Sequence, residues 1–222
     1  MLKPYAAKLE NIKSQITQIS VDVIEAIEIS LRALEDKKID ELKNIEITEK
    51  KLQQKSNEID NMILTTLALY SPEAKDLRQL VSYLKITNEL VRTGSNAKNF
   101  AKTFKKSYSE DLNTSMILEY AIPLLKSALL SLQTSISMID EVNEQHIEER
   151  YHRVIVEESK TDDLYLMIEK NILKLISKNL DLSKEYFDIL SSLRRLEKIA
   201  DRAVSIANLL HFAQVGGDIV QS

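Results

Sequence analysis

The chain has 222 residues with only 3 Gly and 3 Pro, too few for the φ > 0 turns of a β-rich or α/β protein of this size, so the expected class is all-α. The absence of Cys excludes disulfides and thiolate chemistry and suits a reducing compartment, while an aromatic content of 5% without Trp leaves an aliphatic core of the helical-bundle kind. Net charge is −4 with acids and bases interspersed, which gives solvated helix faces and no basic stripe for nucleic acid.

The first helix is expected from about Tyr5 to Leu34, where Leu9, Ile12, Ile16, Ile19, Ile27 and Leu34 follow a helical period. No continuous apolar stretch precedes Glu10 and Lys13, so no signal peptide is expected. The second helix starts at Asp40, read as an N-cap, and runs to about Leu69. Ser71-Pro72-Glu73 opens the third: Ser as cap, Pro at the first helical position, an acid in the first turn. It continues to about Phe104. Ser107-x-x-Glu110 fits a capping box for a fourth helix over about Ser109 to Val142, bent at Pro123. Its most apolar run, Tyr120 to Leu132, is interrupted by Pro123 and Lys126 and is short for a bilayer, so a soluble, cytoplasmic protein without direct membrane insertion is expected. The fifth helix spans about His146 to Ser177. The sixth spans about Ser183 to Phe212, before Gly216-Gly217 and a frayed tail.

Long helices joined by short turns pack antiparallel. Leu84-x5-Leu90-x-Arg92-x4-Ala97 in helix three recurs as Leu190-x5-Leu196-x-Lys198-x4-Ala203 in helix six, at a constant offset of 106 residues. The chain therefore divides into two copies of a three-helix bundle, residues 1–106 and 107–222. Gly94, the lone glycine before the C-terminal tail, marks a close helix approach or a local kink.

Nucleophilic catalysis finds no support: there is no Cys, no phosphate-cradling Gly-rich loop and no nucleophile elbow, and His146, His152 and His211 read as surface or capping residues. A non-enzyme is expected. Carboxylates at helical spacing are the serious candidates. Glu158-x-x-x-Asp162 and Glu197-x-x-x-Asp201 each place two acids one turn apart on one face, and two such helices side by side converge four oxygen ligands suited to a cation. Chance alone supplies several such pairs. Glu158 and Asp162 are distinguished by their register with Ile147, Tyr151, Val154, Tyr165 and Ile168, where a carboxylate needs a partner to compensate for lost water. A carboxylate di-iron enzyme would need two Glu-x-x-His motifs, and only Glu149-Arg150-Tyr151-His152 is present.

Ser71-Pro72-Glu73-Ala74-Lys75-Asp76-Leu77-Arg78 resembles the P-x-A-x-D-L-R signature that opens the third helix of the PhoU family. Leu196-Glu197-Lys198-Ile199-Ala200-Asp201-Arg202-Ala203 is similar to the family's L-E-R-I-G-D-x-A segment, and Leu90 to Ala97 to its first-half copy. The ending Leu209-Leu210-His211-Phe212 with Gly216 also fits, so the resemblance covers residues 5–217. It implies two pseudo-symmetric three-helix bundles, metal clusters held by E/D-x-x-x-D motifs, and a regulator of phosphate signalling. Such a regulator links a phosphate ABC transporter to a sensor histidine kinase and keeps signalling off when phosphate is plentiful.

By position, the second-half metal motif falls on Glu158, Asp162, Glu197 and Asp201, for a metal ion such as iron or zinc. The first half departs from the pattern. Val91 and Ser95 replace the acids of helix three, and Glu49 faces Gln53 in helix two, so no first-half cluster is expected. Asp76 and Arg78 read as a first-turn acid and a solvated charge, or as partner-facing residues. The alternatives are a carboxylate-bridged metalloprotein with a redox or storage role, and a helical accessory domain of another phosphate transporter. Oligomeric state stays open, a homodimer included.

Overall fold

The computed structural model describes residues 3–217, and the regular elements among them are helices. These are α1 (Lys3–Glu35), α2 (Glu49–Tyr70), α3 (Ala74–Ser107), α4 (Thr114–Ile136), α5 (Glu144–Lys178) and α6 (Ser183–Gln214), with 3-10 turns at Ile39–Asn44 and Leu180–Leu182. The all-α class and the six helices are as expected; the tail beyond Gly217 lies outside the described residues.

Aliphatic periodicity builds the interior. Ile12, Ile16, Ile19, Val23, Ile27 and Leu34 form a fully buried stripe on α1, each stabilising the fold by about 1.5–3 kcal/mol. α1, α2 and α3 pack on one another, as do α4, α5 and α6; the triplets meet along α1–α4 and, most extensively, along α3–α6. One buried cluster runs through both triplets. Two of the repeated pairs are matched in burial, Leu90 with Leu196 and Ala97 with Ala203, all interior, whereas Leu84 is half-buried against a buried Leu190 and Arg92 is more exposed than Lys198.

Several helix starts differ from expectation, because tertiary partners claim the capping residues. Asp40 does not cap α2. It pairs with Lys105 at 3.1 Å from a 3-10 turn that buries Leu42. Lys98 then fastens the Ile45 carbonyl, and Thr48 becomes the N-cap, its hydroxyl accepting from Lys51 N at 3.3 Å. Ser71 closes α2 instead of opening α3: it is left-handed at φ 43, ψ 56, and its N–H donates to Leu67 O at 3.1 Å. Pro72 has no N–H with which to extend α2, so α3 begins at Ala74.

Ser107 ends α3 rather than capping α4, and Asn113 takes that role, accepting from Met116 N at 3.1 Å. The Asn113 N–H donates to the Tyr186 hydroxyl at 2.9 Å, so α6 holds the α3–α4 joint. α4 stops at Ile136, six residues short of Val142, because Glu141 accepts the Val142 and Asn143 N–H groups, both at 3.0 Å, and turns the chain into α5. α4 is long and apolar enough to cross a membrane by length and composition, but it packs as a core helix against α1, α5 and α6.

Gly94 is a close approach rather than a flexible point. A Cβ there would lie 2.2 Å from Leu52 Cδ1 and 3.2 Å from Val23 Cγ2. Gly94→Ala gains about 1 kcal/mol of helix propensity but overpacks the site at a cost of about 1–3 kcal/mol. The expected net loss is about 1 kcal/mol, a fall in Tm of about 2–4 °C. Leu52→Ala should cost less in combination with Gly94→Ala than alone; strict additivity in a urea double-mutant cycle would contradict the contact.

Candidate functional site

The buried face of α5 runs through Ile147, Val154, Glu157, Thr161, Tyr165, Ile168 and Ile172. Glu158 and Asp162 are therefore not on the packing stripe itself, as their register suggested, but beside it, on the flank that meets α6. The fully buried acid is Glu157, 6% exposed and paired with Lys160 at 2.6 Å. Sequence spacing missed it, because an i+3 step from Val154 and an i+4 step fit a helical period about equally well.

Across from Glu158 and Asp162, α6 presents Asp201. One carboxylate oxygen from each of the three lies within 4.8 Å of the others. Glu197, one turn earlier on α6, falls outside that trio but is coupled to it electrostatically. Its Oε2 is sealed from solvent without a hydrogen-bond donor, and Arg194 Nε stands 4.0 Å away. Lys198 provides the local positive charge, its Nζ donating to Asp201 Oδ2 at 2.6 Å and to Glu197 Oε1 at 3.4 Å.

The electrostatics follow from crowding like charges at a half-buried helix contact. Burial raises the Glu158 carboxyl pKa, with Asp162, Asp201 and Glu197 adding to it and Lys198 opposing. Burial and then Asp201 raise that of Asp162. Burial raises that of Glu197 too, against the pull of Lys198. For Lys198, burial works against the charge, but the hydrogen bond and charge of Asp201 and the charge of Glu197 outweigh it and push its pKa up. Three converging carboxylate oxygens and a fourth carboxylate with an unsatisfied buried oxygen fit an oxygen-ligated divalent cation, which would relieve the repulsion that one lysine only partly offsets.

The first-half counterpart has no such set. Glu49, Gln53, Val91 and Ser95 all line one cleft between α2, α3 and α6, with Glu49 its lone carboxylate. The histidines stand apart from that cluster: His211 Nε2 meets Glu148 Oε1 at 2.6 Å, tying the end of α6 to α5, and His146 Nδ1 lies 3.5 Å from Glu141. Glu149 accepts from Gln145 at 3.1 Å and His152 packs on Tyr151, so Glu149-x-x-His152 forms no ligand pair. Asp76 lies in the first turn of α3. Arg78 is half-buried. Its Nε is buried without a partner, and its guanidinium lies close to Gly216, the left-handed residue that follows α6.

Comparison with known proteins sets this chain among relatives. The family model described as the PhoU domain matches residues 16–104 and 124–210. The phosphate-specific transport system accessory protein PhoU of Escherichia coli (strain K12) is 24% identical over 225 residues, covering 96% of this chain and 89% of that protein. The crystal structure of PhoU from Pseudomonas aeruginosa superposes with a TM-score of 0.82 at 19% identity, over 96% of this chain and all of that one. The phosphate transport system regulatory protein PhoU from Streptococcus pneumoniae gives 0.79 at 19% identity, over 98% of this chain.

Folded-state carboxyl pKa values above the unfolded ones mean that the native protein binds more protons in that window, so stability falls as pH rises through it. In chelator-treated protein, Tm should therefore decline from about pH 4 upward through the carboxylate range. Glu158→Gln/Asp162→Asn should flatten that decline and raise Tm at neutral pH. A steeper decline in the variant, read by calorimetry, would contradict the assigned repulsion.

Proposed function

The chain belongs to the PhoU family, and on that premise we propose that it is a PhoU-type regulator of phosphate uptake and signalling. It acts in the cytoplasm without catalysing a reaction, as an adaptor between a phosphate ABC transporter and a sensor histidine kinase, and holds signalling off when phosphate is plentiful. The observation that carries this reading is the family match over both halves of the chain. The naming of relatives as accessory or regulatory proteins of phosphate transport supports the transporter side. Residues 1–106 and 107–222 act as the two pseudo-symmetric bundles, in agreement with the separate matches at 16–104 and 124–210.

In the second bundle, Glu158, Asp162, Glu197 and Asp201 would hold a metal ion, iron or zinc being the leading candidates. A bound cation supplies charge neutralisation and a cross-link between α5 and α6. Asp201 and Glu197 come from α6 and Glu158 and Asp162 from α5, so a cation bound among them would add a cross-link to the apolar α5–α6 contact. Lys198 is the competing cation. Its contacts with Asp201 and Glu197 must loosen for the same oxygens to ligate a metal.

Protein purified without chelator should contain stoichiometric metal by ICP-MS, and Glu197→Ala/Asp201→Ala should lose it while keeping its helical circular dichroism. Unchanged metal content in the double variant contradicts the site. The regulatory reading has its own test: deleting this gene should switch on phosphate-starvation genes in phosphate-rich medium, and complementation should switch them off. Unaltered expression in the deletion strain contradicts the regulatory role.

A further inference from the structure

We propose that the cleft between α2, α3 and α6 is a binding site for a compact polyvalent oxyanion of the phosphate class. The cleft has a volume of about 530 Å³, within the size range of small-ligand sites. Three guanidinium groups line it: Arg92 from α3, and Arg195 and Arg202 from α6. Arg195 and Arg202 are seven residues apart, two turns on one helix face, so they stand about 10 Å apart along α6. Ser95, Asn96 and Asn99 line the α3 wall and offer neutral hydrogen-bond donors. Val91 is the single apolar residue of the lining.

The charge balance favours an anion. Glu89 accepts from Arg202 Nη1 at 3.2 Å and stands 3.9 Å from Arg92, which orients both groups but neutralises only one charge. Glu49 contributes a second carboxylate at the cleft wall, leaving three cations against two anions. Arg195 has no hydrogen-bond or ion-pair partner among the described residues, and Arg202 Nε is buried without an acceptor. Guanidinium forks match tetrahedral oxyanions bidentately, whereas a cation would meet a single carboxylate among three arginines.

Comparison with the carboxylate cluster sharpens the contrast. At the repeat offset of 106 residues, Val91, Arg92 and Ser95 take the places of Glu197, Lys198 and Asp201. The acids are gone and the base remains, and Arg195 and Arg202 reach the same place from α6, so the charge at the first-half position is reversed by residues of both halves. The assignment stands on the cleft alone and does not depend on metal occupancy at Glu158, Asp162, Glu197 and Asp201.

The test is titration of the intact, metal-stripped and desalted chain with inorganic phosphate, followed by calorimetry in a buffer free of other oxyanions. One saturable site is expected. Arg92→Ala and Arg195→Ala, both at exposed positions, should each weaken it about tenfold or more with helicity unchanged. Glu49→Gln should tighten it, and Glu197→Gln in the carboxylate cluster should leave it unchanged. Absence of saturable binding, or equal affinity in the arginine variants, overturns the proposal. Binding of a polyglutamate peptide without binding of phosphate overturns it as well and assigns the cleft to an acidic protein segment.

Discussion

The packing of α3 along α6 is the constraint on which the rest of the molecule depends. It is the most extensive helix contact, and it pairs the two repeated segments, whose leucines and alanines (Leu90 with Leu196, Ala97 with Ala203) are interior in both copies. Small residues at those positions let backbones approach, and Gly94 extends this by admitting Leu52 of α2 and Val23 of α1 against α3. Once α3 and α6 are fixed side by side, the outward faces of both helices are fixed too. The face of α6 that meets α5 carries Asp201 to Glu158 and Asp162; its other flank carries Arg195 and Arg202 to the cleft beside α3. Arg202 crosses the helix pair to Glu89, so an ion pair ties the two halves at the point where their charge patterns diverge.

Those two sites have opposite energetic characters. The carboxylate cluster places like charges where burial weakens their hydration, and the raised pKa values of Glu158, Asp162 and Glu197 express that lost hydration first and mutual repulsion second. Lys198 compensates in part, held by Asp201 and Glu197. Such a cluster lowers stability at neutral pH unless a further cation arrives. The arginine cleft is the reverse case, an excess of cations beside a single lining carboxylate. Val91 and Ser95 stand where the second half has Glu197 and Asp201, and with those acids gone Arg92 of α3 and Arg195 and Arg202 of α6 set the charge of the cleft.

Helix number, helix type and the aliphatic core were legible in the sequence because they rest on periodicity and composition, which act along the chain. The caps were less so. Asp40, Ser71 and Ser107 carry good local signals, but Lys105 pairs with the first, the left-handed end of α2 takes the second, and α3 absorbs the third. Each is a case of a tertiary or neighbouring demand overriding a local preference. The candidate site was legible as an i,i+4 pattern on two helices, and three of its four acids converge. Spacing could not show that Glu157, not Glu158, faces the interior, nor that Lys198 stands among the acids, because both depend on the azimuth of α5 relative to α6. The neighbour of Arg78, Gly216, is likewise far away in sequence and left no local signal. The arginine cleft left a signal in the seven-residue spacing of Arg195 and Arg202, and in Arg92 at the repeat offset from Lys198, but only the three-helix junction joins them.

The proposed cation site lies at the α5–α6 carboxylates and not at their first-half equivalents. Anomalous X-ray diffraction from crystals of chelator-free protein, collected on both sides of the iron and zinc absorption edges, tests it most directly. An anomalous peak is expected among Glu158, Asp162, Glu197 and Asp201 and none beside Glu49 and Ser95. A peak in the α2–α3 cleft, or none at the α5–α6 cluster in metal-loaded crystals, would contradict it.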